Sequence, residues 1–293
     1  MIRVTAGSSS RGALAGLQAD SSRLASLQQQ ITSGRQITKP SDNPTGTVTA
    51  LQLRSQLKQL NQYQANASDA LGWLTTVDSS LHSITSQLQQ VRSLVLQGMN
   101  TGTGNATSNE ALAQQVDQAR ASLLSLANSS YLGRPVFGGT TAGGVAFDAT
   151  GSYVGDTGTV ARTVGPNNAI DLNTPGTTAF GANGSNLFDL LGTISSDLRT
   201  NPAGLGADLQ KLDARQVSIT NEQSLAGAKY QRIQSVQNTA NTNLVQLKSQ
   251  LSDLQEIDLA DMAIQVTSAN AAYQAALATT AKVSQISLLD FLR

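Results

Sequence analysis

Apolar residues recur at helical spacing over most of this chain, in one manner at its ends and in another along two long inner segments. Near the N-terminus Leu14, Leu17, Leu24, Leu27 and Ile31 stand at intervals of 3, 7, 3 and 4, a single stripe on a helix of 3.6 residues per turn. Near the C-terminus Met262, Val266, Ala269, Tyr273, Ala276, Thr280 and Val283 alternate intervals of 4 and 3. Leu277, Ile286, Leu289 and Phe291 add apolar surface to the same segment. A stripe this narrow does not hold an isolated helix in water. Both ends are therefore predicted to need partner helices.

The inner segments carry longer repeats. Leu53, Leu60, Ala67, Leu74, Leu81, Leu88 and Val95 fall every seventh residue, with Tyr63, Ala70, Val77, Ile84 and Val91 between them. Leu205, Leu212, Ile219, Ala226, Ile233, Ala240, Leu247 and Leu254 do the same in the second half, supported by Leu209, Tyr230, Leu244 and Leu251. The first helix should close near Ser33, because Gly34 can take the left-handed conformation. Two prolines, Pro40 and Pro44, then forbid a continuous helix. Asn43 is a natural cap and Pro44 a first helical residue, so a helix should run from there to about Gly98, on the order of 80 Å at about 1.5 Å per residue. The second repeat gives a helix of matching length.

Between them, Thr101 to Asn109 reads as a turn, and Leu112, Val116, Ala119, Leu123 and Leu126 as a shorter helix folding back. From Gly138 to Gly184 the chain is rich in glycine, with β-prone runs at Ser152 to Val154 and Thr157 to Val164. A unit of this size has a marginal core and should lean on the helices. Leu187 to Leu198 returns to helical spacing. The expected fold is mainly α: a long antiparallel coiled-coil or helix-bundle rod built from both halves, with the small β-rich domain at its far end. Residues 1–38 plus 257–293 would form a terminal helical domain, 39–140 plus 185–256 the rod, and 141–184 the β domain.

Charged residues make up 13% of the chain and the formal net charge is zero, against about 25% charged in a typical soluble protein. Low repulsion favours self-association, though a merely low-charge globular protein has the same composition. No basic block draws nucleic acid or an anionic membrane, and no run of 18 apolar residues spans one. The first 16 residues lack the apolar core of a cleaved secretory signal, which leaves a cytoplasmic protein or one exported without cleavage. Cysteine is absent.

No grouping of residues supports catalysis, a cofactor or a metal. His82 is the only histidine, too few for a two-histidine metal pair and without a triad pattern around it. The glycines of 133–144 lack the spacing of a phosphate loop. Asp253, Glu256, Asp258 and Asp261 lack the central glycine of a calcium loop and read as a solvated junction or cap. Trp73 reads as core or rim.

The segment Ser33-Gly34-Arg35-Gln36-Ile37-Thr38-Lys39-Pro40-Ser41-Asp42-Asn43-Pro44-Thr45-Gly46 resembles the S-G-[KR]-x-I-x-x-P-S-D-[DN]-P-x-G pattern of the flagellin superfamily, most closely its hook-associated junction branch. Leu132 to Thr140 resembles that superfamily's N-G-R-Y-L-F-x-G-T, with Leu132 in place of Asn and Pro135 in place of Tyr. Tyr153 to Gly158 resembles Y-x-G-D-x-G, and Ser287 to Leu292 the terminal S-L-L-D-[YF]-L. The resemblance implies an extracellular structural protein, exported unfolded through the flagellar type III channel without cleavage and assembled as a ring between hook and filament. Its implied partners are further copies of itself, a neighbouring hook-associated junction protein, filament flagellin and an export chaperone on the C-terminal segment. The terminal stripes would carry subunit packing, and the turn of Pro40, Ser41, Asp42, Asn43, Pro44 and Gly46 would join core to rod. Filament flagellin, and a surface adhesin using the β insertion, are the alternatives.

Overall fold

The computed structural model describes residues 6–100, 106–142 and 144–291, with side chains from 11 to 282 within that span. Seven α-helices are described: α1 (Ala6–Ser33), α2 (Pro44–Asn100), α3 (Ala106–Ala127), α4 (Gly176–Phe180), α5 (Leu187–Thr200), α6 (Leu205–Gln255) and α7 (Leu259–Phe291). Two antiparallel two-stranded sheets complete it, β1 (Ser130–Tyr131) with β2 (Arg134–Pro135) and β3 (Ala161–Gly165) with β4 (Asn168–Asp171). The chain divides into two compact units, one of residues 60–243 and one of residues 1–59 with 244–293.

In the larger unit the sevenfold repeats are the core. Ala67, Ala70, Leu74, Val77, Leu81, Ile84, Leu88, Val91 and Val95 of α2 are all buried, and so are Leu205, Leu212, Ile219, Ala226 and Ile233 of α6. Their polar neighbours fix the direction. Gln64 bonds Asn241, Gln237 bonds Ser68, Gln223 bonds Asp78 and Arg92 pairs with Asp213, so partner numbers fall on one helix as they rise on the other. The helices are antiparallel, as the two matched repeats predict.

Helices α3 and α5 pack side by side on this pair, and Leu112, Leu198 and Leu205 converge on Gly98 of α2. A Cβ at Gly98 would meet the Leu198 side chain, so glycine there lets the helices close. The start of α3 differs from expectation: the helix begins at Ala106, inside the expected turn, while residues 101–105 lie outside the described residues. Asn109, Leu112, Ala113 and Val116 are buried, and their spacing extends the helix toward its start.

The β-rich segment sits on the flank of the helices, not at the far end. Helix α3 runs back about 33 Å at about 1.5 Å per residue, which delivers Tyr131 to Gly72 and Trp73 of α2. Asn66 and Asp69 of α2 then bond Thr163 and Arg162 of β3, and Arg232 and Lys229 of α6 reach Asn168 and Asn173. The segment has little core of its own. Phe137, Phe147 and Phe180 are fully buried, the first two each edge-to-face against Phe180, and Phe147 also packs on Phe188 of α5.

The predicted strands are shorter than their β-prone runs. Of Ser152 to Val154 only Tyr153 makes a bridge, to Phe147, and the strand expected from Thr157 begins at Ala161. Side chains take the intervening amides: Asp156 binds that of Gly158, and Asn173 binds that of Val160. These groups compete with the ladder for donors.

The turn between β1 and β2 holds Leu132 at φ 49° and Gly133 at φ 78°. Two successive positive φ angles are those of a type I′ hairpin turn, for which Asn-Gly is favoured. Leucine there carries a left-handed penalty of roughly 1–2 kcal/mol, and its side chain is 81% exposed. Leu132→Asn is predicted to raise stability by about 1 kcal/mol and the melting midpoint by roughly 2–4 °C. Thermal unfolding followed by circular dichroism checks this.

Candidate assembly surface

Helix α1 ends where the sequence predicts. Gly34, at φ 66°, gives its amide to Ile31, and Arg35 gives its amide to Gln30, the paired bonds of a Schellman cap. The chain then makes one antiparallel bridge, Arg35 with Glu256, flanked by the Gln36 amide on the Gln255 carbonyl at 2.7 Å. That bridge ties the end of α1 to the start of α7, so the two run antiparallel and pack along their length.

The Pro-Ser-Asp-Asn-Pro turn is built on two side chains. Asp42 accepts from the Thr38 amide at 3.1 Å, the Thr38 hydroxyl at 2.8 Å and the Lys39 amide at 2.8 Å. The Lys39 amide first, and then the Thr38 hydroxyl, hold its carboxyl below the usual carboxylate range. Asn43 Oδ1 accepts from the Gly46 amide at 2.8 Å and so caps α2, which begins at Pro44. Gly46 is buried, and a Cβ there would press on Asn43 and Ile37. Pro40 and Ser41 are exposed at the tip.

The terminal stripes divide into two sets. Leu27 and Met262 are buried and Leu17, Leu24, Val266, Ala269, Tyr273, Ala276 and Thr280 are half-buried; these make the α1–α7 seam. Leu14, Ile31 and Leu277 are exposed. The side chains of Val283, Ile286, Leu289 and Phe291 lie outside the described residues. The sequence reading missed further exposed apolar residues of this unit: Leu259, Ile264, Val245, Val48 and Leu51. Leu259 continues the C-terminal stripe, seven residues before Val266, whereas Ile264, Val245, Val48 and Leu51 stand off the heptad positions, which is the signal that marks them. Among the described residues this unit buries five apolar side chains, Leu27, Ala50, Leu53, Leu244 and Met262, while it exposes eight large ones. The larger unit has the opposite balance.

Two glycine-rich motifs of the middle lock onto each other. Asp156 accepts from the Thr140 amide at 2.6 Å, the Thr140 hydroxyl at 2.6 Å and the Gly158 amide at 2.9 Å. The Thr140 hydroxyl is the largest cause that holds this carboxyl below its ordinary range. Tyr153 donates its hydroxyl to the Asp156 carbonyl at 2.7 Å. Gly139, at φ 70°, has no room for a Cβ beside Asp156.

The candidate chemistry is structural. His82 is exposed on α2, and Trp73 is core, edge-on to Tyr131 with the Arg134 guanidinium 6.0 Å over its ring. In the acidic cluster Asp258 caps α7 by accepting from the Ala260 amide, Asp261 bonds Gln265 and Glu256 takes the Ser252 hydroxyl. No grouping of metal-binding side chains occurs among the described residues, and no helix among them is long and apolar enough to cross a membrane.

Residues 7–142 match the sequence profile of the bacterial flagellin N-terminal helical region, and residues 209–292 that of the bacterial flagellin C-terminal helical region. The chain belongs to the bacterial flagellin family. Over 203 residues it is 28% identical to flagellar hook-associated protein 3 of Salmonella typhimurium, an alignment covering 64% of each chain. Over 117 residues it is 29% identical to B-type flagellin of Pseudomonas aeruginosa, 40% of this chain and 24% of that one. The alignments thus span just under two thirds of the first relative and about a quarter of the second. In fold it is similar to a putative flagellar hook-associated protein from Vibrio parahaemolyticus, with a TM-score of 0.68 and 20% identity over 73% of this chain and 100% of that one. It is also similar to Bacillus cereus FlgL, with a TM-score of 0.61 and 19% identity over 69% of this chain and 99% of that one. Such relatives of this flagellin-family chain are flagellar structural proteins, not enzymes.

The Asp42 contacts give a pH dependence with a definite sign. A carboxyl depressed on folding contributes stability above its unfolded value, near 3.9, that is lost as pH falls through the folded value. Amide exchange at Thr38 and Lys39 is predicted to accelerate as pH is lowered below about 4, after correction for intrinsic exchange. Asp42→Ala should show the fast exchange at neutral pH as well.

Proposed function

We propose that this flagellin-family chain is a structural, non-enzymatic subunit of the bacterial flagellum, placed at the junction between hook and filament and assembled through its terminal helices into a ring of identical copies. The observation that carries this reading is the inverted balance of the smaller unit, with eight exposed large apolar side chains against five buried ones. Covering a large aliphatic side chain is worth about 1.5–3 kcal/mol, so this surface has a strong drive to meet others like it. Zero net charge removes most of the long-range repulsion that would oppose that contact.

In this reading residues 1–38 and 257–293 form the assembly domain, 39–140 and 185–256 the rod, and 141–184 a β domain turned outward. Leu17, Leu24, Leu27, Met262, Val266, Ala269 and Tyr273 hold the terminal pair together, while Leu14, Ile31, Ile264 and Leu277 meet neighbouring copies. Val283, Ile286, Leu289 and Phe291 continue the assembly segment. A hook-associated junction protein lies on one side of the ring and filament flagellin on the other. An export chaperone shields the C-terminal segment before assembly, and the site of action is extracellular.

Filament flagellin is the second reading, favoured by the two flagellin profiles. The junction reading draws support from an alignment to the hook-associated relative that is longer and covers far more of its partner. Seeding separates the two: a junction protein stops as a short ring on hook tips, and a flagellin grows long filaments.

Limited proteolysis of the monomer is predicted to trim both ends first and spare residues 60–243. Ile264→Asp with Leu277→Asp should leave the monomer's melting within a few degrees of wild type and abolish assembly onto hooks. Assembly of that variant at wild-type level, read by electron microscopy, would refute the proposal.

A further inference from the structure

The connection from α5 to α6 contains a buried carboxylate with an unused oxygen. Asp208, in the first turn of α6, is 2% exposed; Lys211 holds its Oδ1 at 3.1 Å, while its Oδ2 is buried and accepts no hydrogen bond from a standard donor. Leaving such an acceptor bare is costly. The side chain within hydrogen-bonding reach is a second acid, half-buried Asp197 of α5. Its carboxyl presses on Gly204 in the short 3-10 turn Pro202–Gly204, where a Cβ would collide with it.

We infer that Asp197 and Asp208 share one proton, forming a latch in which the Asp197 O–H donates to Asp208 Oδ2 and holds the end of α5 to the start of α6. The surroundings decide which acid carries the proton. Lys211 is bonded to Asp208 and favours ionised Asp197 only at longer range, and among the described residues no cation is bonded to Asp197. Arg199 is turned to Glu110 and Asp117 of α3, and Arg120 to the carbonyls of Phe188 and Thr150. Asp189, across a shallow cavity from Asp197, bonds the Asn186 amide. From the end of α2, Gly98 lies against Leu198 and Leu205, and Met99 against Gly206. Burial first, and then the charge of Asp208, push the Asp197 carboxyl above its ordinary range. When the proton leaves for solvent, two adjacent carboxylates remain and repel.

The sign follows. A carboxyl raised on folding contributes stability that is complete below its unfolded value and lost as pH rises through the folded one. This trend opposes that of Asp42 and Asp156. The latch is independent of how the protein assembles, so its test does not depend on the junction reading.

Asp197→Asn supplies a permanent N–H donor in place of the proton. From pH 4 to pH 8 the melting temperature of Asp197→Asn is expected to climb progressively above that of wild type, each unit of raised titration giving about a tenfold gain in folding constant. In wild type, carboxyl 13C NMR should show Asp197 titrating above the exposed aspartates, and Asp208→Asn should lower it. A melting difference that does not vary with pH, or an Asp197 resonance titrating with the exposed aspartates, would overturn the latch. The NMR reading holds even if a variant fails to fold.

Discussion

The antiparallel seam of α2 against α6 in the larger unit is the interaction on which the rest depends. Its buried positions alternate spacings of 3 and 4 on α2 and repeat every seven on α6, so each layer places apolar side chains opposite one another. Burial supplies the stability, since Arg92 and Asp213 are 40% and 45% exposed and a pair so solvated adds little. With the seam fixed, α3 and α5 can fold back along it. They bring Tyr131 onto Trp73 and Phe188 into the aromatic cluster, and the glycine-rich segment borrows a core it could not build alone.

The smaller unit applies the same packing rule but leaves it incomplete. Its α1–α7 seam covers only part of each stripe, and the apolar residues Leu14, Leu259, Ile264 and Leu277 are left to solvent. A low-charge chain of the flagellin family that closes one unit and leaves another open is suited to assembly and poorly suited to catalysis. The turn from Thr38 to Gly46 gives this unit a defined corner, because Asp42 and Asn43 bind amides that two prolines would otherwise leave without helical partners.

The helices were legible because their signals are redundant. Gly34, Asn43 and Pro44 mark ends that the heptads already imply: α1 closes at Ser33 and α2 runs from Pro44 to Asn100, within a few residues of the predicted limits. The strands were less legible because β propensity between Thr157 and Val160 loses to the side chains of adjacent Asp156 and of Asn173, a competition for amides that residue propensities do not report. The flank position of the β segment follows from the length of α3, which the heptad repeats do not report. At the candidate site, sequence periodicity identified the seam residues but could not separate Leu27, which is buried within the molecule, from Leu14, which is exposed. That distinction needs the partner helix in place.

The central claim is that the outer face of the terminal helices is covered by other copies. Hydrogen–deuterium exchange of the free monomer and of the protein assembled on hooks measures this directly. The account predicts a large gain of protection in residues 6–33 and 259–291, with the α2–α6 seam between residues 67 and 95 already protected in the monomer and unchanged. Equal exchange at both ends in the two states, or protection gained only in residues 141–184, would contradict it.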